Sequence, residues 1–195
     1  IAAAEKRCMK LHVIGENEGD REATADVALL FGYLKNADKN EFIVQKAVEL
    51  GVKKIVAFSS EYSSAYMNEN KLERLNKVSK EAAKQCLRSV APRVIYCGDF
   101  QSTLKEADGY ENKLFACEFA KDSEAELSTL KGSCALIVGS EGGFSEKEAA
   151  LAKENGFSSI TLGKRILRAE TAAVALTAVV MFSLGELGGR RGKKA

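Results

Sequence analysis

Two short segments in the last third of the chain carry residue types whose spacing suits chemistry. The first, Gly139-Ser140-Glu141-Gly142-Gly143-Phe144, follows the apolar run Ala135 to Val138. Ser145 and Glu148 come next and fit a Ser-x-x-Glu capping box, so the loop delivers the chain to a helix N-terminus with free amides and a positive dipole. Glycines allow close approach and unusual dihedrals, and such a turn can hold a nucleotide-like ligand through main-chain hydrogen bonds. The same residues would also make a plain strand-to-helix turn. They match neither the Gly-x-Gly-x-x-Gly dinucleotide fingerprint nor a P-loop.

The second segment runs from Leu162 to Ala172, between a strand candidate and a very apolar helix. Lys164, Arg165 and Arg168 crowd a loop at a strand's C-terminal end, where parallel α/β sheets bind their ligands. Arg168 can there meet a polyanion or a developing negative charge. Glu170 suits the dipole of the following helix, and Thr171 can assist its cap, which is the purely structural account of the same residues. A third segment, Glu81 to Arg88, lies in a basic amphipathic helix where Gln85 and Arg88 share a face, as solvated neighbours also would.

These segments need strands and helices to hold them, and the apolar pattern supplies both. Strands are expected at Lys54–Phe58, Arg93–Tyr96, Lys113–Glu118, Cys134–Val138 and Ser158–Leu162, with helices between them, the signature of an α/β domain with a largely parallel sheet. Helices are expected at Asp38–Leu50, closed by Gly51, and at Asn70–Ser89, where Leu72, Leu75, Val78, Ala82 and Cys86 recur at helical steps. The first 34 residues read differently, with strand-like Leu11–Ile14 and Asp26–Phe31 around a polar turn. They are too few for a domain of their own. Residues 188–195 combine four basic groups with three glycines and read as a disordered basic tail.

Composition narrows the chemistry further. The chain has 195 residues, 46% hydrophobic and 29% charged, within the ordinary globular range. No apolar run reaches the 18 or more residues of a membrane span, and the start lacks a secretory pattern, so a cytoplasmic protein without a membrane partner is expected. Five scattered cysteines and the single His12 offer neither a Cys-x-x-Cys pair nor a His-rich cluster, so no metal site is expected. The net charge of +2 is uneven: residues 39–93 and 164–195 are basic, and the stretch between them is acidic. Two basic blocks fit either a face for a polyanion or solvated helix surfaces.

In order and spacing, Asp38-Lys39-Asn40-Glu41 running into Gln45 to Val52, then Glu81 to Arg88, Gly139 to Phe144 and Leu162 to Ala172, the chain resembles the SPOUT-superfamily enzymes that methylate N3 of a uridine in small-subunit ribosomal RNA. The resemblance covers roughly residues 37–184. It implies a parallel-sheet methyltransferase domain (35–187) with a C-terminal trefoil knot, preceded over residues 1–34 by the remnant of an N-terminal RNA-binding, PUA-like β-barrel. It also implies S-adenosylmethionine as cofactor, ribosomal RNA as partner and a homodimer. By the resemblance the cofactor lies against three loops, here represented by Glu118, by Gly139, Glu141, Gly142 and Gly143, and by Leu162, Gly163, Ile166, Leu167, Thr171 and Ala172. Three positions depart from the family pattern: Ser140 for a proline, Leu87 for a small residue, and Tyr62 for an arginine that often follows Ser-Glu and would contact phosphate.

Methyl transfer to a uridine nitrogen requires removal of the N3 proton and stabilisation of negative charge on the flanking carbonyl oxygens, with no metal. Arg168 is the expected electrostatic partner, and Glu141 or Glu170 the proton acceptor or substrate orienter. A SPOUT enzyme acting on a ribose 2′-hydroxyl or another base would use the same cofactor loops. A non-catalytic RNA-binding module is the reading from another class, and cofactor affinity separates it from both enzymes.

Overall fold

A computed structural model describes residues 3–4, 8–15, 21–117 and 125–188. Its centre is a six-stranded sheet of β3 (Val27–Gly32), β4 (Lys54–Phe58), β5 (Val94–Tyr96), β6 (Asn112–Ala116), β7 (Cys134–Val138) and β8 (Ser158–Ile160), ordered β5-β4-β3-β7-β6-β8 and parallel throughout. Before it, β1 (Ala3–Ala4) and β2 (Met9–Lys10) form a separate antiparallel pair.

The two central strands are apolar without alternation because both of their faces are covered. Val27, Leu29 and Phe31 of β3 join one core, with α1 (Ala37–Glu49), α2 (Glu69–Gln85) and α5 (Ala169–Ser183). Ala28 and Leu30 face the other, with α3 (Phe100–Lys105) and α4 (Glu146–Glu154). The second core holds a ring cluster in which Phe144, just past the glycine turn, lies 4.5 Å from Phe115 and 5.4 Å from Phe100 between centroids.

The expected strands from Lys54 onward are all present, some shortened at one end. Of the strands expected in the first 34 residues, one is corrected and one is present. Leu11–Ile14 forms no strand and its side chains are exposed, with no apolar surface to settle on. The strand expected at Asp26–Phe31 is β3, which lies between β4 and β7, so the sheet begins ahead of the boundary at residue 35. The basic tail expected at 188–195 lies outside the described residues apart from Gly188.

α2 ends four residues before the expected Ser89. The Arg88 amide donates to the Ala83 carbonyl and the Leu87 amide to the Lys84 carbonyl, with Leu87 at φ 63, so a Schellman motif closes the helix on a left-handed leucine. Arg88 therefore turns inward. Its side chain is 3% exposed and donates to the Val48 and Val52 carbonyls and to Glu22, tying α2 to the end of α1. That makes it a structural cation, not the helix-surface neighbour of Gln85.

Candidate functional site

The C-terminal ends of β6, β7 and β8 open on one side of the sheet, and their loops surround a cavity of about 690 Å³. Its walls are Ala116 and Cys117 at the end of β6, the Val138–Glu141 and Gly143–Phe144 stretches at the end of β7, and the run from Ile160 to Glu170 with Ala172 at and beyond the end of β8. Lys39 of α1 closes one side. The size is that of a small-molecule site, and the loops are those that carry ligands in open parallel sheets.

The glycine turn is shaped by contacts that forbid side chains. The Gly143 amide donates to the Ser140 carbonyl at 3.0 Å, and Gly143 sits at φ 67. A Cβ on Gly139 would lie 2.9 Å from the Phe144 ring, and one on Gly32 only 2.4 Å from the Ser140 nitrogen. The turn thus packs directly onto the end of β3. The capping box beyond it is complete: Ser145 Oγ accepts from the Glu148 amide at 3.3 Å, and Glu148 Oε2 accepts from the Ser145 amide at 2.9 Å.

Most of the residues expected in the site converge on this cavity. Gly139, Glu141, Gly143, Leu162, Gly163, Ile166, Leu167, Arg168, Glu170 and Ala172 all line it. Gly142 and Thr171 do not. A Cβ on Gly142 would fall 2.7 Å from Tyr62 Cβ and 2.8 Å from the Tyr62 carbonyl oxygen, so no side chain fits between this glycine and the neighbouring loop. Thr171 is exposed on the first turn of α5. Glu118 lies outside the described residues.

Arg168 occupies the N-cap position of α5, exposed; its carbonyl accepts from the Ala172 amide at 2.8 Å, and its side chain makes no hydrogen bond or ion pair with the described residues. Glu170 is placed differently. Its Oε1 is 2.9 Å from Lys39 Nζ, whereas Oε2 is buried with no hydrogen-bond partner. Burial pushes this carboxyl up, but the Lys39 hydrogen bond, its own main-chain amide and the charges of Lys39 and Arg168 together hold it below the ordinary carboxylate value. Glu141, exposed, accepts from the Lys35 amide at 3.2 and 3.4 Å. Lys39 is a charged wall residue that sequence reasoning passed over. It stands in the Asp38-Lys39-Asn40-Glu41 segment, but nothing local marks it as facing a loop 130 positions on.

The arrangement offers a main-chain-lined turn, apolar walls at Val138, Ile160, Leu162 and Leu167, and four cations against two carboxylates. A purine-sized group and an amino-acid end fit such walls, and the cations suit a polyanion outside them. Among the described residues no cluster of histidine, cysteine or acidic side chains is placed to hold a metal, and no helix is long and apolar enough to cross a membrane.

Comparison with known proteins gives a consistent result. Residues 21–181 match the model of the RNA methyltransferase domain. The ribosomal RNA small subunit methyltransferase E of Mesomycoplasma hyopneumoniae is 36% identical over 170 residues, covering 86% of this chain and 74% of the relative. That of Bacillus subtilis is 34% identical over 186 residues, covering 88% and 71%. Among solved structures, a ribosomal RNA small subunit methyltransferase E from Neisseria gonorrhoeae bound to S-adenosyl methionine superimposes with a TM-score of 0.75 at 28% identity, over 86% of this chain and 70% of the other.

Proposed function

This chain belongs to the ribosomal RNA small subunit methyltransferase E family, built on the RNA methyltransferase domain, and from that premise we propose that it transfers a methyl group from S-adenosylmethionine to N3 of a uridine in 16S ribosomal RNA. The observation that carries the reading is the convergence of the glycine turn, the β8–α5 loop and Arg168 on one cavity.

The bound cofactor supplies a methyl group on a sulfonium, which leaves as a neutral thioether. The residues of the chain do the rest. Gly139 and Gly143 let the backbone approach the cofactor, and Val138, Ile160, Leu162 and Leu167 exclude water from its apolar parts. The uridine N3 proton is far less acidic than a carboxylic acid, so its removal is uphill unless the resulting charge is stabilised. Arg168, whose side chain has no hydrogen-bond partner among the described residues, donates to a uracil carbonyl oxygen as that charge grows. Glu141 takes the proton. Glu170, already paired with Lys39 and held ionised, orients the substrate instead.

The finer architecture follows the same reading. The chain passes from β7 to β8 on the far side of β6 and then returns through the 161–168 loop to pack α5 on α1, β3 and β7, a path that supports a trefoil knot around the cofactor loops. α5 buries Ala173, Leu176, Thr177, Val180 and Met181 within its own subunit but leaves Val179 40% and Phe182 64% exposed, and Phe42 of the adjoining α1 is 42% exposed. These three side chains support a homodimer joined through α1 and α5. The short β1–β2 pair fits the last part of an N-terminal RNA-binding barrel, and the cytoplasm is the compartment where such an enzyme meets ribosomal RNA.

The test is methylation of unmodified small subunits or their RNA with labelled S-adenosylmethionine, followed by nucleoside mapping. 3-Methyluridine at one position is the expected product. Label in a 2′-O-methylated nucleoside, or none at all, overturns the reading.

A further inference from the structure

The loop between β4 and α2, residues 59–68, contributes nothing to the walls of the cavity, yet it is fastened to the turn that does. Ser60 Oγ lies 3.3 Å from Ser140 Oγ, Ser63 Oγ lies 3.5 Å from the same atom, and the two loop hydroxyls are 3.0 Å apart. The Glu61 amide donates to Glu148 Oε1 at 2.9 Å, using the second oxygen of the capping-box carboxylate. Between these ties Tyr62 rests on Gly142, at a separation that leaves no room for a side chain there. Glu141 and Gly143, on either side of that glycine, both line the cavity.

Tyr62 itself is left unused by the fold. It is 53% exposed, and among the described residues it stacks on no other ring and its hydroxyl has no hydrogen-bond partner. An aromatic ring on a fastened loop has only two side-chain torsions to lose on binding. Across the turn on which it rests, the cavity wall carries Lys39, Lys164, Arg165 and Arg168 against Glu141 and Glu170, a surplus of positive charge that matches a phosphodiester backbone. A uridine methylated at N3 must present its Watson–Crick edge, so it leaves its stack and unstacks a neighbour. Exposed aromatic faces beside a cationic track are where proteins receive such bases.

We infer that Tyr62 is the stacking platform for a nucleobase next to the target uridine, set beside the cofactor turn by Gly142 and by the Ser60–Ser63–Ser140 hydroxyl cluster. The inference rests on the proposed reading that the substrate is a single-stranded or locally opened RNA segment. The Ser140 hydroxyl of the turn thereby anchors the loop that carries Tyr62.

The chain contains no tryptophan, so Tyr62→Trp places a single indole at the site. Titrating that variant with unmodified small-subunit ribosomal RNA should quench the indole emission saturably, with a midpoint matching filter binding. Tyr62→Ala should raise KM for RNA roughly five- to 150-fold, the range for loss of one base–aromatic stack, with a smaller change in kcat. Tyr62→Phe should stay near the wild type, and cofactor affinity by calorimetry should follow wild type in all three. RNA binding without quenching in Tyr62→Trp overturns the inference even if methyl transfer proceeds. Quenching by RNA in a protein that methylates some other position leaves the platform standing and removes only the N3 assignment. A wild-type chain that binds no RNA removes both.

Discussion

Lys39 Nζ and Glu170 Oε1 stand 2.9 Å apart, joining the first turn of α1 to the first turn of α5 at the cavity wall. The pair locks the end of the β8–α5 loop to the neighbouring helix α1 of the same layer through two largely buried side chains, and it holds down the pKa of a carboxyl that burial would otherwise raise. A carboxyl held low in the folded chain, against an ordinary value of 4.5 when unfolded, adds stability above that value and loses it as pH falls through the lower folded one. Lys39→Met should therefore lower the urea midpoint most at neutral pH, with the gap from wild type narrowing as pH drops below 4.5. A gap independent of pH down to acid unfolding would show that the pair is not the source.

Arg168 should act in the chemical step more than in binding. By analogy with loss of one oxyanion donor, Arg168→Ala lowers the single-turnover rate at saturating RNA and cofactor by about a hundredfold or more. Arg168→Lys restores only part, because a point charge lacks the planar fork. A near wild-type saturated rate with weakened RNA binding would make the residue a phosphate clamp.

Gly32→Ala should injure the cofactor turn from beneath. The new methyl would sit 2.4 Å from the Ser140 nitrogen and 2.9 Å from the Gly139 carbonyl carbon, both main chain, so strand or turn must move. The expected cost is about 1–3 kcal/mol of stability, as for overpacked cores, with a matching loss of S-adenosylmethionine affinity by calorimetry. Unchanged affinity in a destabilised variant would separate the turn from the β3 end.

Leu87→Gly should stabilise the protein. A leucine at φ 63 sits in the left-handed region, which costs non-glycine residues roughly 1–2 kcal/mol, and its side chain is 61% exposed and so returns little by burial. A gain of about 1 kcal/mol in chemical unfolding is expected, the left-handed cost less the entropy of an added glycine. A loss would mean that the leucine packs against something outside the described residues.

The strands from Lys54 onward and the Gly139–Phe144 turn were legible because their causes are local: unbroken apolar runs for covered strands, glycines ahead of a Ser-x-x-Glu box for the turn. The packing constraint on Gly142 was not legible, for an equally physical reason. The pressure that excludes a side chain there comes from Tyr62, eighty positions earlier, and a sequence window contains no trace of it. The same holds for β3, whose place at the middle of the sheet depends on β4 and β7, and for Lys39, whose role depends on Glu170. Arg88 looked like a surface cation because nothing nearby announced that a leucine would take the left-handed cap and turn the next residue inward.

The place of β3 also bears on how the chain is made. Val27 pairs with Cys134 and Phe31 with Val138, so one whole edge of a strand that is buried along its length waits for a partner more than a hundred residues downstream. At roughly 5–20 residues per second of synthesis, that edge stays open for on the order of ten seconds while the nascent chain emerges. Until β7 arrives, the glycine turn that follows it does not exist either, and the growing polypeptide presents an apolar strand edge that other nascent chains can pair with. Protection of this segment on the ribosome is then a condition of yield, set by strand order and not by the stability of the finished protein.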